Sequence, residues 1–160
     1  MIIAGVDPAT KNVGIGVLEL TEGGLKVLDV RPIAAKHDNL HERFIHIYSE
    51  TSSVFQKYKP DVVAIESQYL AVNPHAFRVI SYSVGIVWAS AITFSDAQVE
   101  ILEAKRWRKL AFGNGNASKK DCIHNVKEMF DLSKFSGLRE DDYEALGIAV
   151  AMANLVREGG

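Results

Sequence analysis

The 160 residues predict one α/β domain, residues 1–160, built on a mixed five-stranded sheet with helices on both faces. Three features predict it. Three apolar runs with short polar links open the chain, as in an antiparallel meander. An amphipathic stretch of helical length then leads to the β-branched run Asp61 to Glu66, the pattern of a helical crossover into a parallel strand. Helical stretches alternate with one more strand and close the chain.

Residues 2–7 read as the first strand, with Asp7 where it runs out. Pro8 biases Asp7 toward an extended backbone. The residues before it are apolar or Gly, so this carboxylate emerges from a buried sheet and needs a partner. A divalent metal, a phosphate ligand carrying its own Mg²⁺, or a hydrogen-bonded turn would each supply one. Residues 13–20 form the second strand, where Gly14 and Gly16 mark close approach by a ligand or another backbone. Gly23-Gly24 is a turn, and Leu25 to Arg31 is the third strand. Asn39 to Tyr58 carries Leu40, Phe44, Ile47, Val54, Phe55 and Tyr58 on a helical stripe and ends at Lys59-Pro60. Asp61 to Glu66 is a short, nearly all-apolar run closed by an acid, hence a buried strand parallel to the first.

Residues 67–74 form a loop with Tyr69 and a turn at Asn73-Pro74. His75 to Ile92 is the second long helix, with Phe77, Ile80, Val84, Val87 and Trp88 on its apolar face. Its small residues allow close packing against another helix, including one from a second subunit. Val99 to Leu102 is the fifth strand, and Ala104 to Leu110 is a short basic helix. Ser118 caps a helix running to about Met129, with Asp121 at the capping-box offset. Glu140 to Arg157 is the last helix, stopped by Gly159-Gly160. The order is βββαβαβααα. The ribonuclease H fold has this order, and so do the two halves of actin-like ATPases.

Composition narrows the classes. The chain is 48% hydrophobic and 24% charged, with a net charge of −2. No run reaches the roughly 18 apolar residues of a membrane span, and the first residues carry no signal-peptide n-region. The single cysteine, Cys122, excludes an internal disulfide and a cysteine-based zinc site, and it suits a reducing, cytoplasmic compartment. Its simplest reading is a small apolar residue. The charges are clustered. Lys105, Arg106, Arg108 and Lys109 lie together, Lys119 and Lys120 follow, and the acids gather from Glu140 to Glu144. A nuclease can look like this, with cations to hold phosphates and carboxylates to hold metal.

Glu66 is the second acid at the C-terminal end of a buried strand. Adjacent parallel strands bring Asp7 and Glu66 to the same end of the sheet, where two unpaired carboxylates repel. A divalent cation between them removes the penalty. On the last helix, Asp141 and Glu144 are about 60° apart and can face one site, whereas Asp142 and Glu144 are about 160° apart and cannot. Glu140, about 40° from Glu144, competes with Asp141 for this place. Asp141 is preferred because it lies deeper in the helix. Glu140 and Asp142 are read as acids favoured by the helix dipole. Asp7, Glu66, Asp141 and Glu144 then make an all-oxygen site suited to Mg²⁺ or Mn²⁺. Two such ions about 4 Å apart divide the work of phosphodiester hydrolysis between attacking water and leaving oxygen. The product carries a 5′ phosphate. The five histidines are scattered and form no nucleophilic pairing.

Gly5-Val6-Asp7-Pro8 with Gly14-Ile15-Gly16-Val17, Ala64-Ile65-Glu66, and Glu144 to Ala151 resemble the three acidic motifs of RuvC-type Holliday junction resolvases. Order and approximate spacing match over nearly the whole chain. The resemblance implies a homodimeric, Mg²⁺-dependent endonuclease that nicks two symmetric strands of a four-way DNA junction in recombination and repair. It implies that Asp7, Glu66, Asp141 and Glu144 bind metal and catalyse. It places Tyr69 where the family carries a base-stacking aromatic, and Arg108 and Lys119 where basic residues contact DNA. Ala9 stands where the family usually has Gly, and Glu144 where it usually has Asp. The chain is short, without the tail that could dock a branch-migration motor, so that partner stays open.

Within Lys105-Arg106-Trp107-Arg108-Lys109, Trp107 is expected in the core and the cations on DNA, together with Lys119 and Lys120. Phosphate contacts make such binding salt-dependent. The helix from His75 to Ile92 is the expected dimer contact, since paired cuts need a two-fold body. Three other readings compete. They are a nucleotide-binding protein of the actin or sugar-kinase type, a non-catalytic junction-binding protein, and a ribonuclease H-fold nuclease for other branched or RNA-containing substrates.

Overall fold

The computed structural model describes residues 1–67 and 73–159. Tyr69 lies outside the described residues. The chain runs β1 (Ile2–Asp7), β2 (Asn12–Thr21), β3 (Gly24–Ala34), α1 (Leu40–Tyr58), β4 (Val62–Glu66), α2 (Pro74–Ser95), β5 (Gln98–Leu102), α3 (Ala104–Phe112), α4 (Lys119–Met129) and α5 (Glu140–Gly159). The sheet order is β3-β2-β1-β4-β5. β1, β2 and β3 are antiparallel neighbours, while β4 pairs parallel to both β1 and β5. The predicted order and the parallel crossover are both present.

Boundaries moved where local chemistry was stronger than the pattern. β3 extends to Ala34 and includes Pro32. It is an edge strand, where a missing N–H is tolerated. α2 starts one residue earlier than predicted, because Pro74 occupies its first turn, where a backbone N–H has no helical partner. The Asn73 side chain caps it, accepting from the N–H groups of His75 and Ala76 at 3.0 and 3.1 Å. Asn39 caps α1 by accepting from the Glu42 N–H at 2.9 Å. Ser118 and Asp121 form the reciprocal capping box of α4, with Asp in place of the usual Glu or Gln.

Strand alternation assigns each residue to a face. On β1 and β4, Ile3, Val62 and Ala64 pack with Trp107, Leu146 and Ile148, under α3, α4 and α5. Ala4, Val6, Val63 and Ile65 pack with Ile47, Phe55 and Val87, under α1 and α2. Gly5 and Asp7 share the face of Ile3, so both look toward α5. Glu66 shares the face of Ala64 and looks the same way.

Gly16 lies opposite Gly5 and Gly14 opposite Asp7 in the β1–β2 ladder. α5 crosses these three glycines almost in backbone contact. A Cβ at Gly5 would sit 2.1 Å from the Ala145 carbonyl oxygen and 2.4 Å from the Ala149 nitrogen. One at Gly14 would sit 2.3 Å from the Asp141 oxygen, and one at Gly16 2.9 Å from the Leu146 Cα. The close approach expected at Gly14 and Gly16 is therefore that of a helix backbone.

By length and composition alone, α2 is apolar enough to cross a membrane. It packs Val79, Val87 and Ala91 against the interior and leaves Tyr82, Trp88 and Ile92 exposed.

Gly5→Ala is expected to destabilise the protein by about 3 kcal/mol or more, because fixed backbone cannot yield as a side chain does. Urea unfolding measures this. A loss below about 1 kcal/mol would show that α5 does not lie this close.

Candidate metal centre

Val6 pairs with Ile65 at the end of the β1–β4 register. Asp7 and Glu66 follow directly, side by side where the two parallel strands stop. α5 begins above them. Asp141 and Glu144 turn inward from its first two turns, as their angular separation predicts. One oxygen each from Asp7, Asp141 and Glu144 lie within 4.8 Å of one another.

Glu66 stands beside this trio, and its Oε2 accepts the Trp107 indole N–H at 2.7 Å. Asp142 points the opposite way and is fully buried. Its Oδ2 accepts the Arg139 backbone N–H at 2.7 Å, and the Arg139 guanidinium reaches Asn12 Oδ1 at 2.8 Å and the Ile33 carbonyl at 3.3 Å. Asp142 therefore anchors the start of α5 to β2 and β3, a more specific duty than the dipole role expected of it. Glu140 is exposed and pairs with Lys119 at 3.4 Å.

Two of the predicted DNA-contacting cations lie inside the site. Arg108 Nη2 is 2.9 Å from Glu144 Oε1, and Lys119 Nζ is 3.1 Å from Glu144 Oε2. The Arg108 guanidinium also lies 5.0 Å from the Trp107 ring centre. Lys105, Arg106, Lys109 and Lys120 are exposed on α3 and at the start of α4. Trp107 is fully buried, as expected, but its hydrogen bond to Glu66 was not foreseen.

The electrostatics are strained around Asp7. Burial first, then the charges of Glu66, Glu144 and Asp141, push it up to about 9, against the pull of Lys119. Burial also raises Glu66, opposed by the Trp107 hydrogen bond. Asp141 is raised by burial, against Lys119 and Arg139. For Lys119, burial acts downward, but Glu144 and Glu140 outweigh it and hold the ammonium at about 12. A divalent cation fits this arrangement on two counts. The donors are all hard carboxylate oxygens. The burial and the neighbouring acids that push Asp7 up are also what a positive charge placed among these oxygens would relieve.

A family model described as "Crossover junction endodeoxyribonuclease RuvC" matches residues 3–152. A RuvC crossover junction endodeoxyribonuclease of Actinobacillus succinogenes is 29% identical over 156 residues, spanning 98% of this chain and 80% of the relative. The structure of Thermus thermophilus RuvC superposes with a TM-score of 0.85 at 23% identity, covering 99% of this chain and 97% of that one. A second Thermus thermophilus RuvC structure, in complex with Holliday junction substrate, gives a TM-score of 0.87 at 22% identity and covers 99% and 96%. These structures share the fold, which is ribonuclease H-like.

The folded pKa of Asp7 lies above its ordinary 3.8, so the native state keeps a proton that the unfolded chain releases. Its contribution to stability is full below 3.8 and is lost as pH rises through about 9. In EDTA, Asp7→Asn is expected to melt above the wild type, by a margin that widens between about pH 5 and about pH 8. A margin that stays flat or reverses in calorimetric melts would refute the crowding of acids at Asp7.

Proposed function

The chain belongs to the RuvC family of crossover junction endodeoxyribonucleases, and from that premise we propose how its residues divide the work of resolving a Holliday junction. The protein is a Holliday junction-resolving endonuclease, and the proposal sets it in recombination and repair. Water adds across a P–O3′ bond of the DNA, leaving a 5′ phosphate on one fragment and a 3′ hydroxyl on the other. The observation that carries the residue assignment is the convergence of Asp7, Glu66, Asp141 and Glu144 from two strands and one helix onto one place.

In this proposal those four carboxylates hold Mg²⁺, with Mn²⁺ as a substitute, and the number of ions is two. Ions held there would lower the pKa of the attacking water and neutralise charge on the attacked phosphate and the leaving oxygen. To hold a cation Asp7 would have to be deprotonated, because carboxylate ligands bind in that form. Asp142 and Arg139 fix the start of α5, so that Asp141 and Glu144 are presented together. Arg108 and Lys119 fix Glu144 and put positive charge beside the reacting phosphate.

The exposed Lys105, Arg106, Lys109 and Lys120 continue this charge outward, which supports a DNA path over α3 and the start of α4. Phosphate contacts there position the duplex arms and carry no sequence information. Tyr69 follows Glu66 closely in sequence, and the proposal keeps it as the residue that stacks on an opened base at the crossover.

The proposed assembly is a homodimer. Its support is the apolar surface of α2, where Tyr82 is 51% exposed, Trp88 41% and Ile92 52%. A Cβ at Gly85 would meet nothing within 4 Å, so this part of α2 is open to a second helix. Two-fold symmetry gives one active site for each of two opposed strands. Trp88→Glu is expected to sediment as a monomer at micromolar concentration where the wild type is a dimer. A wild-type monomer would count against the assembly.

A synthetic four-way junction with Mg²⁺ tests the assignment, with flap, fork and RNA–DNA hybrid as comparison substrates. Paired symmetric nicks are expected on the junction. Asp7→Asn and Glu66→Gln should keep junction binding and lose at least about 100-fold in cleavage, more than loss of a supporting group costs. Tyr69→Ala should bind the junction and cut it slowly. Wild-type cleavage in either acid variant would overturn the metal assignment.

A further inference from the structure

We infer that Trp107 is a positioning residue for the metal site, its indole N–H holding the carboxylate of Glu66 in the orientation that the ions require. The inference rests on the metal reading above and adds a residue that reading does not use. Its core is the 2.7 Å hydrogen bond from Trp107 Nε1 to Glu66 Oε2.

The ring that carries this donor is tightly seated. It is fully buried. It meets Phe112 edge to face, with centroids 6.0 Å apart and planes at 75°. Gly147 of α5 lies against both rings, where an added Cβ would fall 2.8 Å from Trp107 Cζ3 and 3.0 Å from Phe112 Cζ. Gly147 is one helical turn beyond Glu144. The indole therefore spans the gap between the helix that carries Asp141 and Glu144 and the strand that carries Glu66. Its seat fixes where Glu66 stands relative to the acids of α5.

The chemistry of the donor suits this duty. An indole N–H donates and never accepts, and it carries no charge. It can hold one oxygen of a carboxylate without replacing the cation that the carboxylate serves. Arg108, the next residue, shows the contrast, since its full charge lies on Glu144. Adjacent positions of α3 thus hold two acids in two ways, Glu66 by a neutral donor and Glu144 by a charged one. Groups that orient metal ligands in this manner commonly change affinity or activity by about 10–100-fold when removed. A buried tryptophan in a basic helix is otherwise explained by packing alone, which needs a ring and no N–H.

Two measurements on the full chain separate the roles. The chain has two tryptophans, so indole-¹⁵N labelling gives two N–H signals, with the exposed Trp88 as internal reference. Glu66→Gln is expected to shift the Trp107 signal and leave that of Trp88 in place; an unmoved Trp107 signal overturns the inference. The second measurement is Mn²⁺ affinity without DNA, followed by the electron paramagnetic signal of the free ion. Trp107→Phe keeps a ring and removes the donor, and it is expected to weaken Mn²⁺ binding about 10–100-fold. Equal affinity in the two proteins overturns this inference alone. A wild type that takes up no Mn²⁺ overturns the metal reading, and this inference with it. If Trp107→Phe does not fold, the indole shift decides.

Discussion

The contact of α5 with bare backbone at Gly5, Gly14 and Gly16 governs the rest of the molecule. A helix normally rides on a sheet with side chains between them. Here Ala145 and Ala149 face Gly5, and the Asp141 carbonyl faces Gly14, so the backbones nearly touch. That approach brings short acidic side chains on a helix within reach of an aspartate on a strand. With ordinary residues at those three positions, α5 would stand off and Asp141 could not join Asp7. The three glycines do not act through a positive φ, because none of them is among the positive-φ glycines. They act by lacking volume. Asp142 and Arg139 complete the arrangement by pinning the first turn of α5 to the ends of β2 and β3.

That geometry creates an electrostatic debt which the protein settles unevenly. Glu144 has a cation at each oxygen. Asp141 feels Lys119 and Arg139. Glu66 is partly relieved by the Trp107 N–H. Asp7 has burial and three acids against it, and Lys119 in its favour among the described residues. The unrelieved group lies where the two parallel strands end, with the other acids around it. Local rules of folding are broken here in a concentrated way, as they commonly are at functional sites.

The fold was legible because its periodicities are plain. Alternation and length gave five strands, and a β-branched run closed by Glu66 gave the parallel partner of β1. Angular spacing separated Asp141 and Glu144 from Asp142 without any structure. Trp107 shows where reading stopped. Its burial follows from an aromatic among cations, but its hydrogen bond depends on α3 packing beside the end of β4, which no local pattern records. Arg108 shows the same limit. A cation in a basic cluster reads as a phosphate contact, yet its position on α3 aims it at a carboxylate 36 residues later in the chain. Asp142 had a general dipole reading and proved to have a particular partner, since Arg139 is folded back by contacts from Asn12 and Ile33 that lie far away in sequence.

The longer side chain at position 144 fits this distribution of charge. Aspartate at that position would be one methylene shorter and could not extend as far between Arg108 and Lys119, which come from different helices. Glutamate reaches both, one with each oxygen. The consequence is a division among the acids. Glu144 is already compensated in the protein itself, so a bound cation gains less from it. Asp7 has burial and three acids against it, so a cation bound in the proposed site would gain most there, in competition with a proton. Under the proposed metal reading, uptake would be coupled to pH chiefly through Asp7, while Glu144 joins the same acidic cluster to the basic residues Arg108 and Lys119.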